Sequence, residues 1–138
     1  MFELETVLYT GRTHTTGGRE GSARSSDGRL DVKLSPPGPT GSGSNPEQLL
    51  AAGWSACFIS AIHHEAERLG VSLPGTVAID AAIDLGTIGG MNMLAAHFKI
   101  FLPGLDRAIA EQLVTAAHRI CPYSRATRGN IHVDIKIA

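Results

Sequence analysis

Residues 45–69, NPEQLLAAGWSACFISAIHHEAERL, decide how this chain is built. Asn45 suits a helix cap. Pro46 suits the first helical position because its missing N–H is not needed there. Glu47 in the first turn answers the positive end of the helix dipole. The helix is expected to run to Leu69 and stop at Gly70, a residue that tolerates the left-handed angles of a helix end. Its first half is apolar nearly all round, whereas HHEAER in its second half is polar. A helix apolar on every side is expected to be enclosed on every side. The reading is of a central core helix, with Cys57 in its middle.

Working outward, residues 2–10 (FELETVLYT) alternate apolar and polar and read as a strand. Gly17-Gly18 marks a turn, after which Arg19 is expected to open a second strand. Asp27-Gly28 signals a hairpin, and residues 30–34 (LDVKL) form the returning strand. Residues 35–44 (SPPGPTGSGS) form a surface connection. Beyond the helix, 76–85 and 93–102 look like two strands, and the connection through Gly86, Gly89 and Gly90 suggests a hairpin with a mobile loop. Residues 106–120 read as an amphipathic helix capped by Asp106. Cys121-Pro122 ends it, because the residue before proline resists helical angles. Residues 131–137 (IHVDIKI) alternate as a last strand. The fold class is therefore α+β, mainly antiparallel sheets around a buried helix, in one domain spanning 1–138. So much apolar surface in a small chain also predicts a homodimer that shares the helix.

Composition narrows the function. The chain has 138 residues, 43% of them hydrophobic and 18% charged, with a formal net charge of −1. Such a balance excludes an extended disordered chain. It shows neither the basic footprint of a nucleic-acid binder nor a membrane-surface patch. The N-terminal residues are acidic with no apolar core, unlike a secretory signal, so a cytoplasmic protein is expected. The apolar run Leu49–Ile62 is too short to span a bilayer. His63 and Glu67 sit one helical turn apart, a spacing shared by metal pairs and by solvated helix faces. No further ligand motif accompanies them, so no metal and no bound cofactor is expected.

Two cysteines, Cys57 and Cys121, lie nearly half the chain apart. In a reducing compartment such a pair is either two inert buried thiols or a working redox pair. A cysteine among apolar residues has a raised pKa. To act as a nucleophile, Cys57 needs a cation, and no Lys or Arg lies within a helical turn of it. Arg19 is a candidate, and Glu47 could hold it by a bidentate fork. Spacing alone leaves both with ordinary surface roles as well.

Local motifs weigh between these readings. Asn45-Pro46-Glu47-Gln48-Leu49, Ala51-Ala52-Gly53 and Ser55-Ala56-Cys57-Phe58 resemble the reactive-cysteine helix of the organic hydroperoxide resistance branch of the OsmC-like family. Cys121-Pro122-Tyr123-Ser124 with Ala126-Thr127-Arg128-Gly129-Asn130-Ile131 resembles that family's second-cysteine segment. Leu8-Tyr9-Thr10, Gly17-Gly18-Arg19, Ser26-Asp27-Gly28 and Leu102-Pro103-Gly104-Leu105 also match. Trp54 departs from the pattern, where tyrosine is expected, as does Arg125, where asparagine is expected.

The resemblance implies an intertwined homodimer with its active sites at the subunit interface. It implies that Cys57 attacks an organic hydroperoxide and Cys121 resolves the resulting sulfenic acid as a disulfide. Arg19 would stabilise the thiolate and Glu47 would orient Arg19. The external reductant would be dihydrolipoamide carried on a lipoylated protein. Trp54, Phe58 and Ile59 would supply an apolar wall for the peroxide's tail. An OsmC-type peroxidase of broader peroxide use, and a non-enzymatic redox sensor or binding dimer, are the other two expectations.

Overall fold

The computed structural model describes residues 2–138, in two compact units divided after Pro46. In the first unit, β1 (Thr13–Thr16), β2 (Ser22–Ser25) and β3 (Asp31–Lys33) form an antiparallel sheet in that order. Gly28 turns the expected hairpin with φ 74°. The Asp27 carboxylate accepts from Ser25 Oγ at 2.6 Å and from the Arg29 amide at 3.0 Å, and these bonds lower its pKa.

Two expectations fail in this unit. Residues 2–10 form no strand; the first one starts at Thr13. Alternation fits residues 2–10 for pairing, but a strand exists only against a neighbour. Phe2, Leu4, Leu8 and Tyr9 are all at least 80% exposed. Arg19 does not open β2 either. It lies in a single 3-10 turn, Gly18–Glu20, entered through Gly17 and Gly18, both at positive φ.

The second unit begins with the anticipated helix, α1 (Pro46–Leu69). Then follow β4 (Ala78–Ile88), β5 (Met91–Phe101), α2 (Arg107–Ile120), α3 (Pro122–Thr127) and β6 (His132–Ile137). The sheet order is β4-β5-β6. β4 and β5 run antiparallel, whereas β5 and β6 are parallel, so this sheet is mixed. The crossover through α2 and α3 makes that parallel return possible. Register aligns Ala81 with Phe98 and Phe98 with Ile135, then Ile83 with Ala96 and Ala96 with Val133. Period two thus gathers one apolar face, and leaves Asp80, Asp84, His97, Lys99, Asp134 and Lys136 on the other.

The expected hairpin between β4 and β5 forms, but through a two-residue turn and not a longer loop. Gly89 and Gly90 have φ 56° and 80°, and the strands pair as far as Ile88 with Met91. Consecutive left-handed residues match the natural twist of a hairpin, so no longer loop is needed.

The core joins Trp54, Phe58, Ala61 and Ile62 of α1 to Ala96, Phe98 and Ile100 of β5 and to Ala110, Val114 and Ala117 of α2. On α2, Ala110, Leu113, Val114 and Ala117 recur at helical spacing, and the Asp106 side chain accepts from the Ala108 amide at 3.1 Å. α1 corrects the expected burial. Ala52, Ala56 and Ser60, one turn apart, are exposed, so its front half is not enclosed on every side. Its polar second half, by contrast, buries Glu65. That carboxylate pairs with Arg68 Nη2 at 2.7 Å, which lowers its pKa.

Candidate active site

Cys57 sits at the middle of α1 and is half-buried. Cys121 is fully buried at the junction of α2 and α3. Its φ of −58° and ψ of 122° are non-helical, as Pro122 demands. Its amide still donates to the Ala117 carbonyl at 2.8 Å, which ties it to the last turn of α2. The bend turns the Cys121 side chain onto α1. Its sulfur lies 3.4 Å from the Cys57 sulfur, a hydrogen-bonding contact between two free thiols.

Disulfide formation requires sulfurs about 2.05 Å apart. The pair is little more than an ångström from that, and no large rearrangement separates the thiols from a bond. Burial pushes the Cys57 pKa up, and contact with Cys121 raises it further. The Tyr123 backbone N–H, aimed at the Cys57 sulfur, opposes them. Pro122 has no N–H, so Tyr123 contributes the first amide of α3, one without an intrahelical acceptor. A thiolate at neutral pH needs more positive charge than this one amide provides.

The Tyr123 ring lies over Gly53. A Cβ on Gly53 would come 3.1 Å from Tyr123 Oη. This close approach accounts for a glycine inside α1, one turn before Cys57. Tyr123 is 42% exposed, and Ile59 and Leu50 are half-buried.

Trp54 and Phe58 are placed differently from the apolar wall expected of them. Both are fully buried, with Trp54 edge-on to Phe98 at 4.9 Å between centroids and Phe58 stacked on Phe98 and His118. They back the site from within the core, whereas Ile59 is half-buried, two residues beyond Cys57 on α1. Trp54 Nε1 donates to the buried Ser124 Oγ at 3.1 Å.

Arg19 lies in the first unit, and Glu47 in the first turn of α1. Both engage polar or charged neighbours.

Sequence reasoning missed the Tyr123 amide, the Trp54–Ser124 bond and His118. The Cys121-Pro122 pair was the available signal for the first. The second joins positions seventy residues apart and leaves no local trace. His118 Nδ1 is buried without a partner, and burial, followed by the nearby Arg128, lowers its pKa. His97 bridges Asp84 at 2.8 Å and Asp134 at 3.9 Å on the outer sheet face. Among the described residues no group of three or more His, Cys, Asp or Glu is arranged to hold a metal ion. Nor is any helix among them long and apolar enough to cross a membrane.

An α+β unit with two free cysteines in contact across the end of one helix and the middle of another matches one class of protein. The profile of the OsmC-like proteins matches residues 39–136, and the chain belongs to that family. It is 49% identical, over the full length of both, to an organic hydroperoxide resistance protein of Xanthomonas axonopodis pv. citri. The crystal structure of an organic hydroperoxide resistance protein OsmC from Legionella pneumophila superposes with a TM-score of 0.90 at 39% identity, covering 96% of this chain and 99% of that one. That of the organic hydroperoxide resistance protein OhrB of Bacillus subtilis gives 0.89 at 36%, covering 96% and 100%.

Proposed function

We propose that this protein is a thiol peroxidase that reduces organic hydroperoxides to alcohols. The observation that carries this reading is the 3.4 Å contact between Cys57 and Cys121, one half-buried and one fully buried. The names of the relatives support the same substrate class.

In the proposed cycle the Cys57 thiolate attacks one peroxide oxygen. The O–O bond breaks, the alkoxide leaves and takes up a proton to become the alcohol, and Cys57 becomes a sulfenic acid. Cys121 then attacks the Cys57 sulfur, the S–O bond breaks, and hydroxide leaves with the Cys121 proton as water. A dithiol reduces the resulting disulfide by two exchange steps and is itself oxidised to a disulfide. Dihydrolipoamide on a lipoylated protein is the proposed donor, so no bound cofactor is required.

Since burial raises the Cys57 pKa, the first step depends on an added cation. Arg19 is proposed to supply it, with Glu47 fixing the guanidinium. Ile59, Leu50 and the exposed Tyr123 ring offer apolar surface to an alkyl tail. That surface favours organic peroxides over hydrogen peroxide, which has no tail to bind. A cytoplasmic homodimer is the proposed state, supported by the exposed apolar side chains of residues 2–9 and the open stripe Ala52, Ala56 and Ser60 on α1.

Mass spectrometry of single-turnover samples tests this chemistry. One equivalent of cumene hydroperoxide is expected to remove two hydrogens from the wild type, leaving a Cys57–Cys121 disulfide. Cys121→Ser should gain one oxygen at Cys57 and stall, and Arg19→Ala should take up oxygen more slowly. Unchanged thiols in the wild type would reject the reading.

A further inference from the structure

Two links join the same two segments of chain. One is the sulfur contact between Cys57 and Cys121. The other is the hydrogen bond from Trp54 Nε1 to Ser124 Oγ, 3.1 Å long. Trp54 stands three residues before Cys57, close to one helical turn, and Ser124 stands three residues after Cys121, across Pro122. Both bonded residues are fully buried, and the indole ring is clamped edge-on against Phe98. Ser124 in turn is part of α3, where the Arg128 amide donates to its carbonyl at 3.0 Å and Thr127 Oγ1 at 3.3 Å. Cys121 belongs to the same turn, its carbonyl accepting from the Arg125 amide at 2.9 Å. A force on Ser124 is therefore transmitted to Cys121 through one short helix.

We propose that the Trp54–Ser124 hydrogen bond is a positioning pair that holds Cys121 against Cys57 and sets the rate and equilibrium of disulfide closure. This rests on the peroxidase reading for its biological sense, but the pairing claim concerns the two thiols alone. Neither residue touches the peroxide; both act through Cys121. α3 has only six residues, and its Cys121 end is a proline bend rather than a continuous helix. Such a segment needs an outside anchor to keep a sulfur placed within an ångström. A buried N–H donated into a buried hydroxyl gives that anchor a direction, because leaving either group unpaired is costly. The consequence is selective. Attack of Cys57 on a peroxide draws on α3 only through the Tyr123 amide and ring, whereas attack of Cys121 on the Cys57 sulfenic acid needs the second sulfur itself in place. In that second step the new S–S bond forms as the S–O bond breaks and water departs.

Trp54→Phe keeps an aromatic ring on Phe98 and removes the donor; Ser124→Ala removes the acceptor. In each, the disulfide's equilibrium constant against a glutathione redox buffer is expected to fall about tenfold, near 30 mV for a two-electron couple. With stoichiometric cumene hydroperoxide, closure to the disulfide should slow about tenfold or more, and sulfenic acid formation by much less. Excess peroxide should then drive more Cys57 to the sulfinic acid. The double variant should do no more than either single one, since all remove the same bond. Trp54 is the only tryptophan, so its emission reports directly whether Ser124→Ala remains folded around it. Should that variant unfold, Trp54→Phe gives the same readouts.

Wild-type closure constants and rates in folded variants would overturn the proposal. So would equal slowing of both oxidation steps, which marks a general structural role. The glutathione titration needs no peroxide, so it decides the pairing claim even if the wild type proves to have no peroxidase turnover.

Discussion

His118 carries the least satisfied polar atom of the described residues. Its ring stacks on Phe58 with 5.9 Å between centroids, and its Nδ1 is buried with no partner. Burial first, and Arg128 second, depress its pKa below the ordinary 6.5. The sign follows. Below pH 6.5 the unfolded chain binds a proton that the folded chain resists, so stability present above that pH is lost as the pH falls. His118→Phe keeps the stack and removes the titration. Its urea midpoint should therefore fall less steeply than that of the wild type between pH 6.5 and pH 5. Identical slopes would exclude His118 as the source. At Cys57 the same cause shifts the pKa the other way, because the neutral form that burial favours is the protonated thiol. Both residues were visible in the sequence, but their burial was not. A single histidine in an amphipathic helix, such as His118, carries no sign of which ring nitrogen will be enclosed. Trp54 and Phe58 were legible as large apolar neighbours of Cys57. Which way each faced depended on β5, whose Phe98 claims both rings.

At the scale of elements, helices were read most accurately. α1 runs Pro46–Leu69 and α2 starts behind the Asp106 cap, because caps and proline bends are local chemistry. Strand ends were less legible. β4 and β5 continue to a Gly89-Gly90 turn where the glycines suggested a loop, since two left-handed residues suffice and the number needed is not written in the glycines themselves. α3 went unread because Pro122 after Cys121 signals an ending as readily as a new start. Nothing lies within 4 Å of a Cβ built on Gly89 or Gly90, so a substitution there meets backbone strain without a clash. Gly89→Ala and Gly90→Ala should each cost about 1–2 kcal/mol in urea unfolding. Asparagine should cost less, because it tolerates left-handed angles. Equal stability of the alanine variants would contradict the turn geometry.

For the molecule as a whole, the two units leave apolar surface that a single chain does not cover. Phe2, Leu4, Leu8 and Tyr9 point outward from a segment whose alternation is that of a strand without a neighbour. The pattern was legible in the sequence, but a neighbour belonging to another chain cannot be. If a second copy supplies it, sedimentation should give twice the 14.5 kDa of one chain. Removing residues 2–10 should lower that mass to one chain's or drive precipitation. A wild-type mass of one chain would reject the dimer and leave the Cys57–Cys121 contact as described.

Steady-state turnover tests the central proposal most directly. Purified protein is supplied with dihydrolipoamide and either cumene hydroperoxide or hydrogen peroxide, beside Cys57→Ser. A thiol peroxidase of this kind cycles many times, faster with the organic peroxide, and Cys57→Ser abolishes the cycling. Oxidation that stops after one equivalent, with reductant still present, would contradict it and identify the cysteine pair as a sensor.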